Sequence, residues 1–113
     1  MHELSIVTSI IKTTENEVDA AHGEKVVEII LEIGKLSGVE IQSLYFVWEL
    51  AAKNTVLEDS KITIFEPRGV AICAECETEY PLENIFDSCP KCNSPFKTII
   101  SGKELKIKKL IIN

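Results

Sequence analysis

Apolar residues recur at helical spacing from Leu4 to about Ala21. Leu4, Val7, Ile10, Ile11 and Val18 share one face, while Lys12, Glu15, Glu17 and Asp19 fill the other. That spacing predicts an amphipathic helix. His22-Gly23 marks its end, with Gly23 suited to a left-handed cap. From Lys25 to Gly34 the period changes to two, which predicts a strand. Val27, Ile29, Leu31 and Ile33 point one way, and Glu28 and Glu32 share the other face with Val26 and Ile30. Ser37-Gly38-Val39-Glu40 fits a capping box. A second helix follows to about Asn54, with Ile41, Leu44, Tyr45, Val47, Trp48 and Ala51 as its buried stripe. Lys61 to Phe65 is a second strand, ended by Glu66-Pro67-Arg68-Gly69, and Leu105 to Ile112 a third, interrupted by lysines.

The predicted order is therefore helix, strand, helix, strand, a cysteine-bearing segment, and strand. The expected fold class is α+β: a three-stranded sheet with two helices packed on it, and an inserted four-cysteine module. Residues 1–69 and 99–113 would make up the α+β domain, and residues 70–98 the module.

Composition narrows the function classes. The chain has 113 residues, is 45% hydrophobic and carries a net charge of −6. That suffices for one small domain core, but a segment near 30 residues cannot fold on its own core and needs a metal. No apolar run reaches the roughly 18 residues of a membrane helix, and no basic region leads an apolar stretch at the N-terminus. A cytosolic protein is expected, with no membrane partner. The cysteine-bearing segment is itself acidic, with five acidic and two basic side chains over 70–98. An acidic surface argues against nucleic acid as partner.

Cys73, Cys76, Cys89 and Cys92 are all the cysteines of the chain, and they fall as two C-x-x-C pairs. The two-residue spacer lets both thiolates of a pair turn toward one point, and two such knuckles complete a tetrahedron of sulfurs. Structural zinc is the reading that this closed set favours. Iron held as in rubredoxins and a redox dithiol are the alternatives, and the duplicated motif counts against the dithiol. Four thiolates leave no open position for catalysis. In Cys89-Pro90-Lys91-Cys92-Asn93, Asn93 tolerates the left-handed conformation needed after the second thiol. The first pair puts Glu77 there, where Gly is easier. Tyr80, Pro81, Leu82, Ile85 and Phe86 are candidates for an apolar cap over the site.

At the other end, the chain begins Met1-His2-Glu3-Leu4-Ser5. A bulky second residue leaves the initiator Met in place, so a free amine is expected one residue from an imidazole. The amine, the His2 amide nitrogen, the His2 ring and the Glu3 amide can lie in one plane, the arrangement that suits Ni(II) or Cu(II). The Glu3 carboxylate can add an axial or outer oxygen. Amine and imidazole must lose protons to bind, so nickel affinity is expected to fall as pH drops. His22, the one other histidine, has no such setting.

Starting Met-His-Glu-Leu-Ser, the sequence resembles the HypA/HybF family of hydrogenase nickel-insertion accessory proteins. The resemblance continues through Ile33-Gly34-Lys35-Leu36-Ser37-Gly38, Glu66-Pro67, the two cysteine pairs with Cys89-Pro90-Lys91-Cys92, and Ser101-Gly102-Lys103-Glu104-Leu105. It implies that His2 anchors nickel, with Glu3 and the terminal amine nearby, and that the four cysteines hold structural zinc. Ni(II) is then cargo rather than cofactor. It implies delivery to the precursor of the nickel-iron hydrogenase large subunit, together with a GTP-hydrolysing partner, and in some relatives service to urease. Glu77 and Asn93 depart from the family pattern, where Gly is usual, and no histidine stands beside the cysteines. A monomer or weak dimer is expected. A rival of another class is a zinc-ribbon module binding nucleic acid or a transcription complex, which calls for a basic, aromatic surface. An enzyme is not expected: there is no Gly-rich phosphate loop and no open metal position.

Overall fold

Residues 2–113 are described by a computed structural model, and they form two helices and six strands. In chain order these are α1 (Glu3–Ala20), β1 (Val26–Ile33), α2 (Ile41–Ala51), β2 (Lys61–Phe65), β3 (Gly69–Cys73), β4 (Glu79–Leu82), β5 (Lys97–Ser101) and β6 (Leu105–Ile112). One three-stranded sheet has the order β2-β1-β6, the three strands that periodicity predicts. A second, β4-β3-β5, lies within the cysteine-bearing part and has no counterpart in the sequence reading. The architecture is α+β.

Two compact units result. The first comprises the chain up to Leu31, Val39–Ile64 and Ile107–Asn113, and the second Glu32–Gly38 with Phe65–Lys106. In the first unit α1 packs against α2. The buried stripe of α1 is Glu3, Val7, Thr14 and Val18, spaced four, seven and four residues apart along a single face. Two of these are polar, so hydrophobicity alone misplaces the stripe. Leu4 stands one helical step aside and is 62% exposed, not buried as expected. Thr14 is tolerated inside because its hydroxyl donates to the Ile10 carbonyl at 2.7 Å.

The C-terminus of α1 is a Schellman motif: the Gly23 N–H donates to Val18 O at 2.9 Å and the His22 N–H to Asp19 O at 3.1 Å. The left-handed residue is His22, at φ 55°, rather than Gly23. Gly23 is needed for another reason. A Cβ there would lie 2.3 Å from Ile112 Cγ2, so the space a side chain requires is already filled.

Two further expectations need correction. In β1, Ile29, Leu31 and Ile33 are buried, but Val26 is buried and Val27 is 48% exposed, so the alternation slips one residue near the strand's start. The capping box does not form. Glu40 is the N-cap of α2 and its side chain makes no cap hydrogen bond, while the Ser37 N–H donates to Gly34 O at 3.0 Å. Of the expected α2 stripe, Leu44 and Trp48 are buried, one turn apart, and Tyr45 is exposed.

In the second unit β3 pairs antiparallel with both β4 and β5. Alternation along β3 buries Gly69, Ala71 and Cys73, and along β4 it buries Tyr80 and Leu82. Ala71, Cys73, Tyr80, Leu82 and Cys89 form one small cluster, with Leu36, Cys76 and Ile99 against it. The segment 34–36 is laced to this unit through Gly34 N–H to Glu104 O at 2.8 Å, Lys35 N–H to Pro67 O at 2.9 Å and Leu36 N–H to Gly102 O at 2.7 Å. A Cβ at Gly34 would fall 2.0 Å from the Gly102 carbonyl oxygen. No helix among the described residues is long and apolar enough to cross a membrane.

Candidate metal centre

Two copies of one backbone motif carry the cysteines. In the first, the Glu77 N–H donates to Cys73 O at 3.1 Å and the Cys73 N–H to Thr78 O at 2.9 Å. In the second, the Asn93 N–H donates to Cys89 O at 2.8 Å and the Cys89 N–H to Ser94 O at 3.0 Å. The residue after the second thiol is left-handed in both, Glu77 at φ 60° and Asn93 at φ 62°. Each turn also aims amides at the first sulfur of its pair. Cys73 Sγ accepts from the Glu75 N–H at 3.4 Å and the Cys76 N–H at 3.5 Å, and Cys89 Sγ accepts from the Lys91 N–H at 3.4 Å. Such N–H groups stabilise negative sulfur before any metal arrives.

The turns converge. All four Sγ atoms lie within 4.8 Å of one another, with Cys73 and Cys92 3.5 Å apart and Cys76 and Cys89 3.6 Å apart. A tetrahedral ion with metal–sulfur bonds of about 2.3 Å sets its sulfurs about 3.8 Å apart, so the quartet fits such an ion. No disulfide joins them, and their exposure is graded: Cys73 and Cys89 buried, Cys76 half-buried, Cys92 exposed.

The electrostatics follow from those contacts. The Cys76 N–H holds the Cys73 thiol below its ordinary value. The Thr78 hydroxyl, 3.2 Å from Cys76 Sγ, does most to bring Cys76 down to about 6, with the Thr78 backbone N–H next. At Cys92 the Ser94 N–H pulls the thiol down, but the sulfurs of Cys73, Cys76 and Cys89 together with desolvation push it up to about 12. Four thiols sharing one small volume resist ionising together, because each negative sulfur disfavours charge on the next. Burial, and after it the negative sulfurs, also raise the Tyr80 phenol, whose hydroxyl is buried without a hydrogen-bond partner.

Of the expected apolar cap, Tyr80 and Leu82 are in the cluster, whereas Pro81 is exposed and Phe86 is 80% exposed. Strand alternation explains the split over 80–82. The cysteine spacing alone does not point to Thr78, but the sequence carries a signal for it: Cys76-Glu77-Thr78 and Cys92-Asn93-Ser94 both place a hydroxyl residue two positions after the second cysteine.

The other candidate residues lie in the first unit. His2 is exposed and is the N-cap residue of α1, its carbonyl accepting the Ile6 N–H at 3.0 Å. Glu3 opens the helix and is buried, its Oε2 accepting the Glu40 N–H at 3.2 Å. Met1, and with it the expected amine ligand, lies outside the described residues. The structure brings the four cysteines together, and it puts His2 and Glu3 side by side at the start of α1.

Comparison with known proteins places the chain. The family model described as "Hydrogenase/urease nickel incorporation, metallochaperone, hypA" matches residues 1–112. The hydrogenase maturation factor HypA of Parabacteroides distasonis is 43% identical over 112 residues, covering 99% of this chain and 97% of that protein. The protein of the same name from Chlorobium phaeobacteroides is 42% identical over 113 residues, with 99% of each covered. The solution structure of the nickel metallochaperone HypA from Helicobacter pylori shares the fold, at a TM-score of 0.72 and 23% identity, covering 99% of this chain and 97% of that one. With a family model matched from end to end and relatives above 40% identity, this chain belongs to the HypA family, whose members are metallochaperones for nickel incorporation rather than enzymes.

Proposed function

We propose that this protein binds Ni(II) at its N-terminus through His2 and the terminal amine, with Glu3 taking part, and hands it to the precursor of the nickel-iron hydrogenase large subunit. Zn(II) held by Cys73, Cys76, Cys89 and Cys92 is structural. A GTP-hydrolysing accessory protein shares the delivery, and urease is a second candidate recipient. Nickel handling falls to the α+β domain of residues 1–69 and 99–113, and zinc to residues 70–98.

The observation that carries this reading is the setting of His2: an exposed imidazole immediately before the first turn of α1, in a chain of this family. The first turn of a helix has amide N–H groups that the helical ladder does not use. An exposed site at a chain end can be dismantled by a partner's ligands without unfolding a core. Nitrogen and hard oxygen donors suit nickel, while the closed sulfur quartet suits zinc, so cargo and structural metal do not compete for one site.

The test is metal content by mass spectrometry after nickel loading and desalting. Wild type should carry one zinc and one nickel per chain, and His2→Ala zinc alone. Nickel retained by His2→Ala sinks the reading.

A further inference from the structure

Glu3 is a carboxylate in an unusual place. It opens α1, directly after His2, yet is only 7% exposed on the buried face of the helix. Burying a carboxylate is costly unless hydrogen-bond donors meet it. Here a donor comes from 37 residues away, the backbone N–H of Glu40, 3.2 Å from Glu3 Oε2. Glu40 is the N-cap residue of α2, and its own side chain makes no cap bond. In a capping box the carboxylate three residues into the helix reaches back to the N-cap N–H. α2 has Ser43 and not an acidic residue at that position, and Glu3 performs the task from the other helix.

The geometry points to Glu3 as a positioning residue: its carboxylate clamps the start of α1 to the start of α2, and so holds the backbone on which His2 presents its imidazole. This rests on the nickel reading above and refines the part of Glu3 in it, from a carboxylate ligand to a clamp. Helix ends fray, and His2 as N-cap residue lies where α1 frays first. A site assembled only in the unfrayed state binds with an apparent affinity reduced by the fraction of chains in that state. A hydrogen bond to a charged group is strong enough to shift that fraction by about tenfold.

The test separates an acceptor oxygen from a metal-binding charge. Glu3→Gln keeps a carbonyl oxygen able to accept the Glu40 N–H but removes the charge. Glu3→Ala removes the acceptor. Glu40→Pro removes the donor and leaves residues 1–3 untouched; the φ of −85° at Glu40 is close to what proline adopts. Nickel affinity is measured on the zinc-loaded full chain by competition with a chromophoric chelator. Exchange of the Glu40 amide is followed by NMR in wild type, Glu3→Gln and Glu3→Ala, with no nickel present. The clamp requires Glu3→Gln, whose neutral oxygen accepts more weakly, to bind within about fivefold of wild type, and Glu3→Ala and Glu40→Pro to be weaker by a similar factor of about ten. It requires the Glu40 amide to exchange about tenfold faster in Glu3→Ala but not in Glu3→Gln. Glu3→Gln as weak as Glu3→Ala, with Glu40→Pro binding like wild type, overturns it in favour of a carboxylate acting on nickel directly. Unchanged exchange in Glu3→Ala overturns it as well. His2→Ala runs in parallel: nickel affinity undiminished there refutes the terminal nickel site, while the exchange data still judge the clamp.

Discussion

Glu77 is held at φ 60°, a conformation in which the Cβ of an L-residue crowds the backbone. For an ordinary side chain that conformation costs about 1 kcal/mol relative to glycine. Asn93 occupies the matching position of the second knuckle at φ 62°, but asparagine visits this region readily, so its share is a few tenths of a kcal/mol at most. The turn is closed by the Glu77 N–H to Cys73 O bond, which glycine keeps, and the Glu77 side chain is exposed. Glu77→Gly should therefore relieve strain while removing little. Zinc binds only the folded knuckle, so a lower cost of forming the turn appears in the metal affinity: about 1 kcal/mol is roughly a fivefold gain at most. Competition for zinc with a chelator indicator, at fixed pH and salt, reads this directly. Two controls isolate the backbone effect. Glu77→Gln removes the charge beside the thiolates but keeps the strain, and should stay within about twofold of wild type; Asn93→Gly should also gain less than about twofold. If Glu77→Gln matches Glu77→Gly, the benefit was electrostatic and the strain argument is refuted. An equal gain for Asn93→Gly refutes it too.

Gly34→Ala would bring a methyl group to 2.0 Å from the Gly102 carbonyl oxygen, a backbone atom that cannot swing aside. The substitution should destabilise the second unit by about 2 kcal/mol or more, seen as zinc lost at lower denaturant concentration than in wild type. The thiols set a pH dependence. With Cys76 at about 6 and Cys92 at about 12, zinc binding at neutral pH expels a proton from Cys92, so zinc affinity should rise with pH through the neutral range. Below about 6, Cys76 must lose a proton as well, and the slope should steepen. The sign for the metal-free fold agrees: a lowered thiol contributes stability above its unfolded value of 9.0 that is lost as pH falls through about 6. Thr78→Val removes the hydroxyl that does most to lower Cys76, so the steepening should move to higher pH in the same competition assay.

Much of the molecule is local information. The cysteine quartet is legible because C-x-x-C places two sulfurs within one turn, and the left-handed residue after each pair belongs to that same turn. The three strands of the β2-β1-β6 sheet and both helices follow from apolar period, which needs only a few neighbours. The second sheet was hidden because β3 ends on Cys73, where the metal motif masks the strand pattern, and because β4 has only four residues, one of them Pro81.

What tertiary structure alone decided involves partners far apart in the chain. Ser37 to Glu40 reads as a capping box, but Glu3 supplies the carboxylate from 37 residues away, and α2 starts only at Ile41. Leu4 looks like core, yet the buried stripe runs through Glu3 and Thr14, each satisfied by a hydrogen bond that composition cannot reveal. His22 takes the left-handed cap, and Gly23 is needed instead because Ile112 fills the space beside it, a contact that spans 89 residues. The sequence by itself determined which atoms can bind metal, since ligand spacing is a property of a single turn. Which carboxylate is buried, and what it holds in place, depended on two helix starts meeting, and no local pattern records that.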